Sequence, residues 1–161
     1  MTKATSVITG RGRVISGVVS TDDIIAGRYK HAYTDPAKLA PHVFEAFAPG
    51  FAATLEPGDI IIADAQFGIG SSREQAVTAL MATGVVAVVA PIFGRIFFRN
   101  CWNLGLPAIE LDLGGVEDYD AVAIDFEGGL VAHGERRHEF PPPAPEILAM
   151  WRSGGLLATI K

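Results

Sequence analysis

Residues 64–76, Asp-Ala-Gln-Phe-Gly-Ile-Gly-Ser-Ser-Arg-Glu-Gln-Ala, gather the side chains best suited to chemistry. Gly68 and Gly70 stand just before Ser71, Ser72, Arg73 and Glu74. Glycines let the backbone turn tightly and let a ligand come close. Ser71 and Ser72 can donate to an anion or, once deprotonated, accept a proton. Arg73 can hold a carboxylate or phosphate through two parallel hydrogen bonds. Glu74 can orient Arg73. It can equally close a capping box with Ser71, which would make the stretch a well-capped helix start with no chemistry. On either reading a strand, a tight loop and a helix N-terminus present N–H groups and positive potential to an anion.

Other chemistries find less support. A phosphate-binding P-loop needs Gly-Lys-Ser/Thr after the glycines, which is missing. A serine-hydrolase elbow needs Gly-x-Ser-x-Gly, and residues 68–72 read Gly-Ile-Gly-Ser-Ser. His31, His42, His133 and His138 show no metal-ligand spacing and are expected at the surface. Cys101 is the only cysteine and sits among Phe97, Phe98, Trp102 and Leu104. A single thiol there is expected to be buried, and it builds neither a disulfide framework nor, alone, a zinc or iron–sulfur site. In Ser20-Thr21-Asp22-Asp23, Thr21 or Asp22 is expected to cap a turn.

The elements that must position the loop follow from periodicity. Residues 11–19 read as a first strand interrupted by glycine. Thr34-Asp35-Pro36 opens a helix, with Asp35 or Thr34 as cap and Leu39, Val43, Phe44 and Phe47 on one face. Residues 60–63 form a buried strand, 72–83 a helix ended by Gly84, and 85–90 a β-branched strand covered on both faces. A second helix over 93–103 ends at Gly105, and 107–111 is a short strand. This β-α-β-α-β order predicts a parallel sheet with helices on its faces. A hairpin then joins 121–126 to 130–133, Pro141-Pro142-Pro143 stiffens a connector, a last helix spans 145–153, and 156–160 is a possible terminal strand.

The chain has 161 residues, 49% of them apolar, which is enough for a real core and fits one domain over 1–161. The net charge of -5 argues against a general nucleic-acid binder. No apolar run reaches membrane-spanning length and no signal core opens the chain, so a cytoplasmic protein is expected.

Several ordered motifs carry a resemblance. They are Phe67-Gly68-x-Gly70-Ser71-Ser72-Arg73-Glu74, Gly84-Val85-x-Ala87-Val88-Val89-Ala90, Phe93-x-Arg95-Ile96-Phe97-x-Arg99-Asn100 and Gly105-Leu106-Pro107. Ser20-Thr21-Asp22-Asp23-Ile24-Ile25, Tyr29 and Thr34-Asp35-Pro36 precede them. Together, over about residues 10–111, the chain resembles the swivel domain of the aconitase superfamily. Within it, the likeness is to the free-standing small subunits of 3-isopropylmalate dehydratase and homoaconitase-like enzymes. The resemblance implies an α/β fold of the swivelling β/β/α type, with a central parallel-rich sheet flanked by helices and a smaller β element.

It also implies a shared enzyme. In that family a separate large subunit carries a [4Fe-4S] cluster on three of its own cysteines, and the small subunit closes over it. By resemblance Ser71 matches the serine base, Arg73 the arginine that holds the substrate carboxylate, Ser72 a hydrogen-bond donor beside it, and Asp22 an acid of the active site. Tyr29, Lys30 and His31 fall where the family reads the distal group of the substrate. Lys30 and His31 are basic or potentially so, which points either to a second anionic group on the substrate or to a Lys30 that simply faces solvent. Ile69 and Gln75 stand where relatives often carry cysteine and histidine. The implied reaction is dehydration or isomerisation of a hydroxy acid: 3-isopropylmalate first, then homocitrate/homoaconitate or a methylmalate/citraconate-type acid. A non-catalytic anion-binding module is the alternative of another class. Expected partners are the cluster-bearing large subunit and a small hydroxy acid, with no nucleic acid, no membrane, and no metal or cofactor bound by this chain alone. An exposed apolar patch near the loop is expected where the partner closes.

Overall fold

The computed structural model describes residues 7–29, 32–71 and 73–155. Lys30, His31, Ser72 and the possible strand over 156–160 lie outside the described residues.

The strands are β1 (Val7–Ile15), β2 (Val19–Ser20), β3 (Ile60–Ala63), β4 (Phe67–Ile69), β5 (Ala87–Ala90), β6 (Ala108–Glu110), β7 (Ala121–Asp125), β8 (Leu130–His133) and β9 (Arg136–Glu139). The helices are α1 (Thr21–Ile24), α2 (Pro36–Leu39), α3 (Glu74–Ala82), α4 (Arg95–Leu104) and α5 (Pro145–Arg152). A seven-stranded sheet runs β6-β5-β3-β1-β7-β8-β9, and β2 pairs with β4 in a separate two-stranded sheet. The β3-α3-β5-α4-β6 run is parallel throughout, as its hydrophobic pattern predicts. The half from β7 to β9 is antiparallel, so the large sheet is mixed.

Ile60, Ile61, Val88 and Val89 are fully buried, because helices cover a parallel sheet on both faces. Arg13 lies in this interior too, at 2% exposure. It donates to Asp118 at 3.0 Å and to the Thr54 carbonyl at 2.9 Å, while its guanidinium lies 4.8 Å from the Phe51 ring centre and 4.4 Å from that of Tyr119. Arg11 grips buried Asp59 with two bonds of 2.9 Å. Each buried charge therefore has a partner.

The expected strand over 11–19 is two strands. It starts earlier, ends at Ile15, and the chain turns at Gly17, whose φ of +95° is in the left-handed region and whose N–H donates to Asp64 at 2.9 Å. The turn throws Val19–Ser20 off the large sheet and onto β4. The helix expected from Asp35 to Phe47 is also shorter. Asp35 caps it and Pro36 opens it as read, but it passes into a 3-10 turn at Ala40–His42. Phe44, at φ +56°, then gives its N–H to the Ile24 carbonyl at 2.9 Å, so tertiary bonding overrides the helical period. The histidine expectation fails at His133, which is 6% exposed and whose Nε2 lies 3.3 Å from Nε2 of His138. Burial, helped by the charges of His138 and Arg136, lowers its pKa. Cys101 is buried as expected, and burial pushes its thiol up.

Candidate active site

The small sheet carries the site. Beyond β2 the chain enters α1, and beyond β4 it enters the Gly70-Ser71 loop and α3. Because β2 and β4 are parallel, both exits lie at the same end. Gly68 makes this possible. Its φ is +80°, and a Cβ there would sit 2.4 Å from the Phe97 ring, so only glycine lets α4 pack this close under the loop.

The cap of α1 is Ser20, not Thr21 or Asp22. Ser20 Oγ accepts from the Asp23 N–H at 3.0 Å, and Asp23 Oδ2 accepts from the Ser20 N–H at 2.9 Å, a complete capping box. With Ser20 and Asp23 so occupied, the neighbouring side chains are free for other work. Thr21, buried, donates its hydroxyl to the Ser71 carbonyl at 2.9 Å. Asp22 reaches Arg73: Oδ1 accepts from Nη1 at 2.7 Å and from the Gly27 N–H at 3.1 Å. The Arg73 hydrogen bond is the main reason the Asp22 carboxyl lies below its usual range. Burial opposes this, and the Gly27 N–H and the charge of Arg73 add to it.

Arg73 Nη1 also donates to the Ile25 carbonyl at 3.0 Å. Its Nε and Nη2 have no acceptor among the described residues, so part of the fork remains available to an anion. The rival capping box of Ser71 with Glu74 is absent: the cap of α3 is Arg73, with no side-chain bond to the helix. Nor does Glu74 orient Arg73; Asp22 does. Ser71 is exposed beside this pair, preceded by Gly70 at φ +105°. Its neighbour Ser72 is outside the described residues.

Tyr29 belongs to a second cluster. Its hydroxyl donates to Glu45 at 2.8 Å, its ring stacks on His42 with centres 4.1 Å apart, and Arg28 donates to Glu45 at 2.7 Å. His42 Nδ1 also bonds Glu45, and that bond and the Tyr29 bond lower the Glu45 carboxyl. Tyr33 stacks on the other end, and Gln75 of α3 donates to its carbonyl at 3.3 Å. The two described ends of the Lys30-His31 segment are therefore fastened, one to Glu45 and His42, the other to α3. The i, i+3 spacing of His42 and Glu45 was visible in the sequence but unused. Gly27 was missed as well: a Cβ there would stand 3.1 Å from Arg73 Nη2.

The aconitase C-terminal domain family matches residues 26–113. A 3-isopropylmalate dehydratase small subunit of Archaeoglobus fulgidus is 40% identical over 156 residues, covering 96% of this chain and 94% of that protein. The chain belongs to the small-subunit family of 3-isopropylmalate dehydratase, within the aconitase superfamily. A second family member, the homoaconitase small subunit of Thermus thermophilus, is 38% identical and covers 86% of each chain. The crystal structure of 3-isopropylmalate dehydratase from Methanocaldococcus jannaschii superposes with a TM-score of 0.88 at 35% identity, over 96% of this chain and 93% of that one. The swivel-type fold read from the motifs is therefore the observed one.

Among the described residues no group of three or more His, Cys, Asp or Glu could hold a metal, and the lone thiol is buried. No helix among them is long and apolar enough to cross a membrane. Close to the loop, Val18, Ile92 and Ile96 are exposed at 49%, 46% and 50%. β2 and Phe93 flank β4, so Val18 and Ile92 border the strand that carries the loop.

Proposed function

We propose that this chain is the small subunit of a heteromeric hydro-lyase that converts 2-isopropylmalate to 3-isopropylmalate by dehydration and rehydration, in the cytoplasm. A large subunit supplies a [4Fe-4S] cluster, whose open iron is a Lewis acid toward the substrate hydroxyl. The observation that carries the reading is the Asp22–Arg73 pair at 2.7 Å with Ser71 two residues away on the same open edge.

In this mechanism Arg73 holds a substrate carboxylate with its Nε and Nη2 donors. Neutralising that carboxylate acidifies the adjacent C–H, because the carbanion formed there delocalises onto it. Ser71 Oγ, as the alkoxide, takes the proton and becomes the neutral hydroxyl. The substrate hydroxyl leaves the neighbouring carbon as hydroxide, giving the alkene. On rehydration hydroxide adds to the carbon that lost its proton, and Ser71 returns the proton to the carbon that lost its hydroxyl, which gives the isomer. The guanidinium and the N-terminus of α3 stabilise the alkoxide. Ser72 adds a hydrogen bond to the carboxylate. Asp22 fixes the plane of the guanidinium and supports the acid–base network. Tyr29, with Lys30 and His31, meets the distal group.

Reconstitution with a cognate large subunit tests this. Ser71→Ala is expected to abolish turnover while substrate still binds; near-normal turnover would remove Ser71 as the base. Lys30 and His31 favour a second reading, a homoaconitase-type or methylmalate/citraconate-type substrate with a further anionic group. Comparing kcat/KM across these acids decides between them. A chain that binds a dicarboxylate tightly alone and retains no iron–sulfur partner in a pull-down would instead be an anion-binding module.

A further inference from the structure

Arg11, Arg13, Arg28, Arg73 and Arg152 each meet a carboxylate, whereas Arg95 and Arg99 meet none among the described residues. They stand one turn apart on α4, where like charges repel. Both face a cleft of about 660 Å³ between α4, β6 and the connector into α5. Its volume lies in the range of small-molecule sites. Phe98, Trp102 and Ile147 give it an apolar lining. Glu110 lines it too. One oxygen, Oε2, accepts from the Phe93 N–H at 3.1 Å, yet the carboxylate forms no ion pair with either arginine.

Charges of both signs thus face one apolar cleft without bridging each other. We propose that the cleft binds an apolar α-amino acid as its zwitterion. Arg95 and Arg99 take the α-carboxylate, where two guanidiniums offer more donors than one carboxylate can use. Glu110 Oε1, not engaged by Phe93, takes the α-ammonium. The side chain lies against Phe98, Trp102 and Ile147, leaving water as apolar area is covered. No residue of the Ser71–Arg73 site lines this cleft, so the proposal stands independently of the reaction assigned above.

Calorimetric titration of the full chain with L-phenylalanine, hydrocinnamate and phenethylamine tests it. The last two lack the ammonium and the carboxylate respectively. Saturable one-site binding is expected for phenylalanine, with each analogue weaker by about tenfold or more. Arg95→Gln and Arg99→Gln are expected to weaken phenylalanine by about tenfold each. Glu110→Gln should lower phenylalanine to the level of hydrocinnamate and leave hydrocinnamate unchanged. All three side chains are exposed, so a native circular dichroism spectrum is expected for each variant. No saturable binding by the natively folded chain overturns the proposal. So does hydrocinnamate binding as tightly as phenylalanine, or full affinity in the variants.

Discussion

Asp22 Oδ1 lies 2.7 Å from Arg73 Nη1, although the two residues are 51 positions apart in the chain. The bond and the one to the Ile25 carbonyl both engage Nη1 of the guanidinium. Asp22→Ala should therefore loosen Arg73 without unfolding the chain, because Asp22 is itself 66% exposed. The expected outcome in the reconstituted enzyme is a loss of about tenfold to hundredfold in kcat/KM with an unchanged unfolding midpoint. Arg73→Lys should not restore activity, since an ammonium cannot reproduce the fork.

Gly27 offers a sharper test of the same geometry. A methyl group at that position would press on Arg73 Nη2 at 3.1 Å and lie 3.5 Å from Asp22 Oδ1. Gly27→Ala should raise KM while thermal stability changes little. A variant with wild-type kinetics would mean that the pair adjusts freely.

Much of this was legible beforehand. The glycines of residues 68–70 announce a tight turn before a helix start, and the β-α-β-α-β periodicity announces the parallel sheet. What escaped was tertiary. The expected cap was Thr21 or Asp22 rather than Ser20, and only the position of the Ser71 carbonyl explains why Thr21 is spent elsewhere. β4 has just three residues, too few for a period to register, and its partner β2 has two. β9, Arg-Arg-His-Glu, has no apolar alternation because it is the outer strand. Glu45 was passed over because the three side chains that converge on it come from two separate stretches.

Gly68→Ala should destabilise the fold, by about 2–4 kcal/mol from the positive φ and the collision with Phe97 together. Denaturant unfolding measures it. Catalytic loss in this variant should track the fraction unfolded plus a shifted loop, so kcat should fall even at temperatures where it remains folded.

The acid side of the stability profile should depend on Asp59. Burial pushes its carboxyl up, but the Arg11 hydrogen bonds, the Glu56 N–H and the charges of Arg11 and Arg13 outweigh that and leave it below the ordinary value. A carboxyl lowered by folding stabilises the protein above its unfolded pKa, and that contribution fades as pH falls through the folded value. Asp59→Asn should therefore cost most near neutral pH, about 3 kcal/mol, with the gap to wild type closing in acid. Urea unfolding over a pH series checks the sign; a gap that stays constant would show that packing, not ionisation, carries the effect.

Glu45→Gln should act on selectivity. It keeps the size of the side chain but weakens the grip on Tyr29, Arg28 and His42. The expected change is in the ratio of kcat/KM between substrates that differ at the distal end, with little change in the rate of the preferred proton transfer.

The short pairing of β2 with β4 has a consequence for assembly. The segments bearing Asp22 and Arg73 leave one shared ledge, and the Thr21–Ser71 bond crosses between them. Their conformational entropy is surrendered when the chain folds, before any encounter. A second protein meeting this edge then finds the Thr21–Ser71 contact and the Asp22–Arg73 pair already made, so its association free energy is not diverted into forming them.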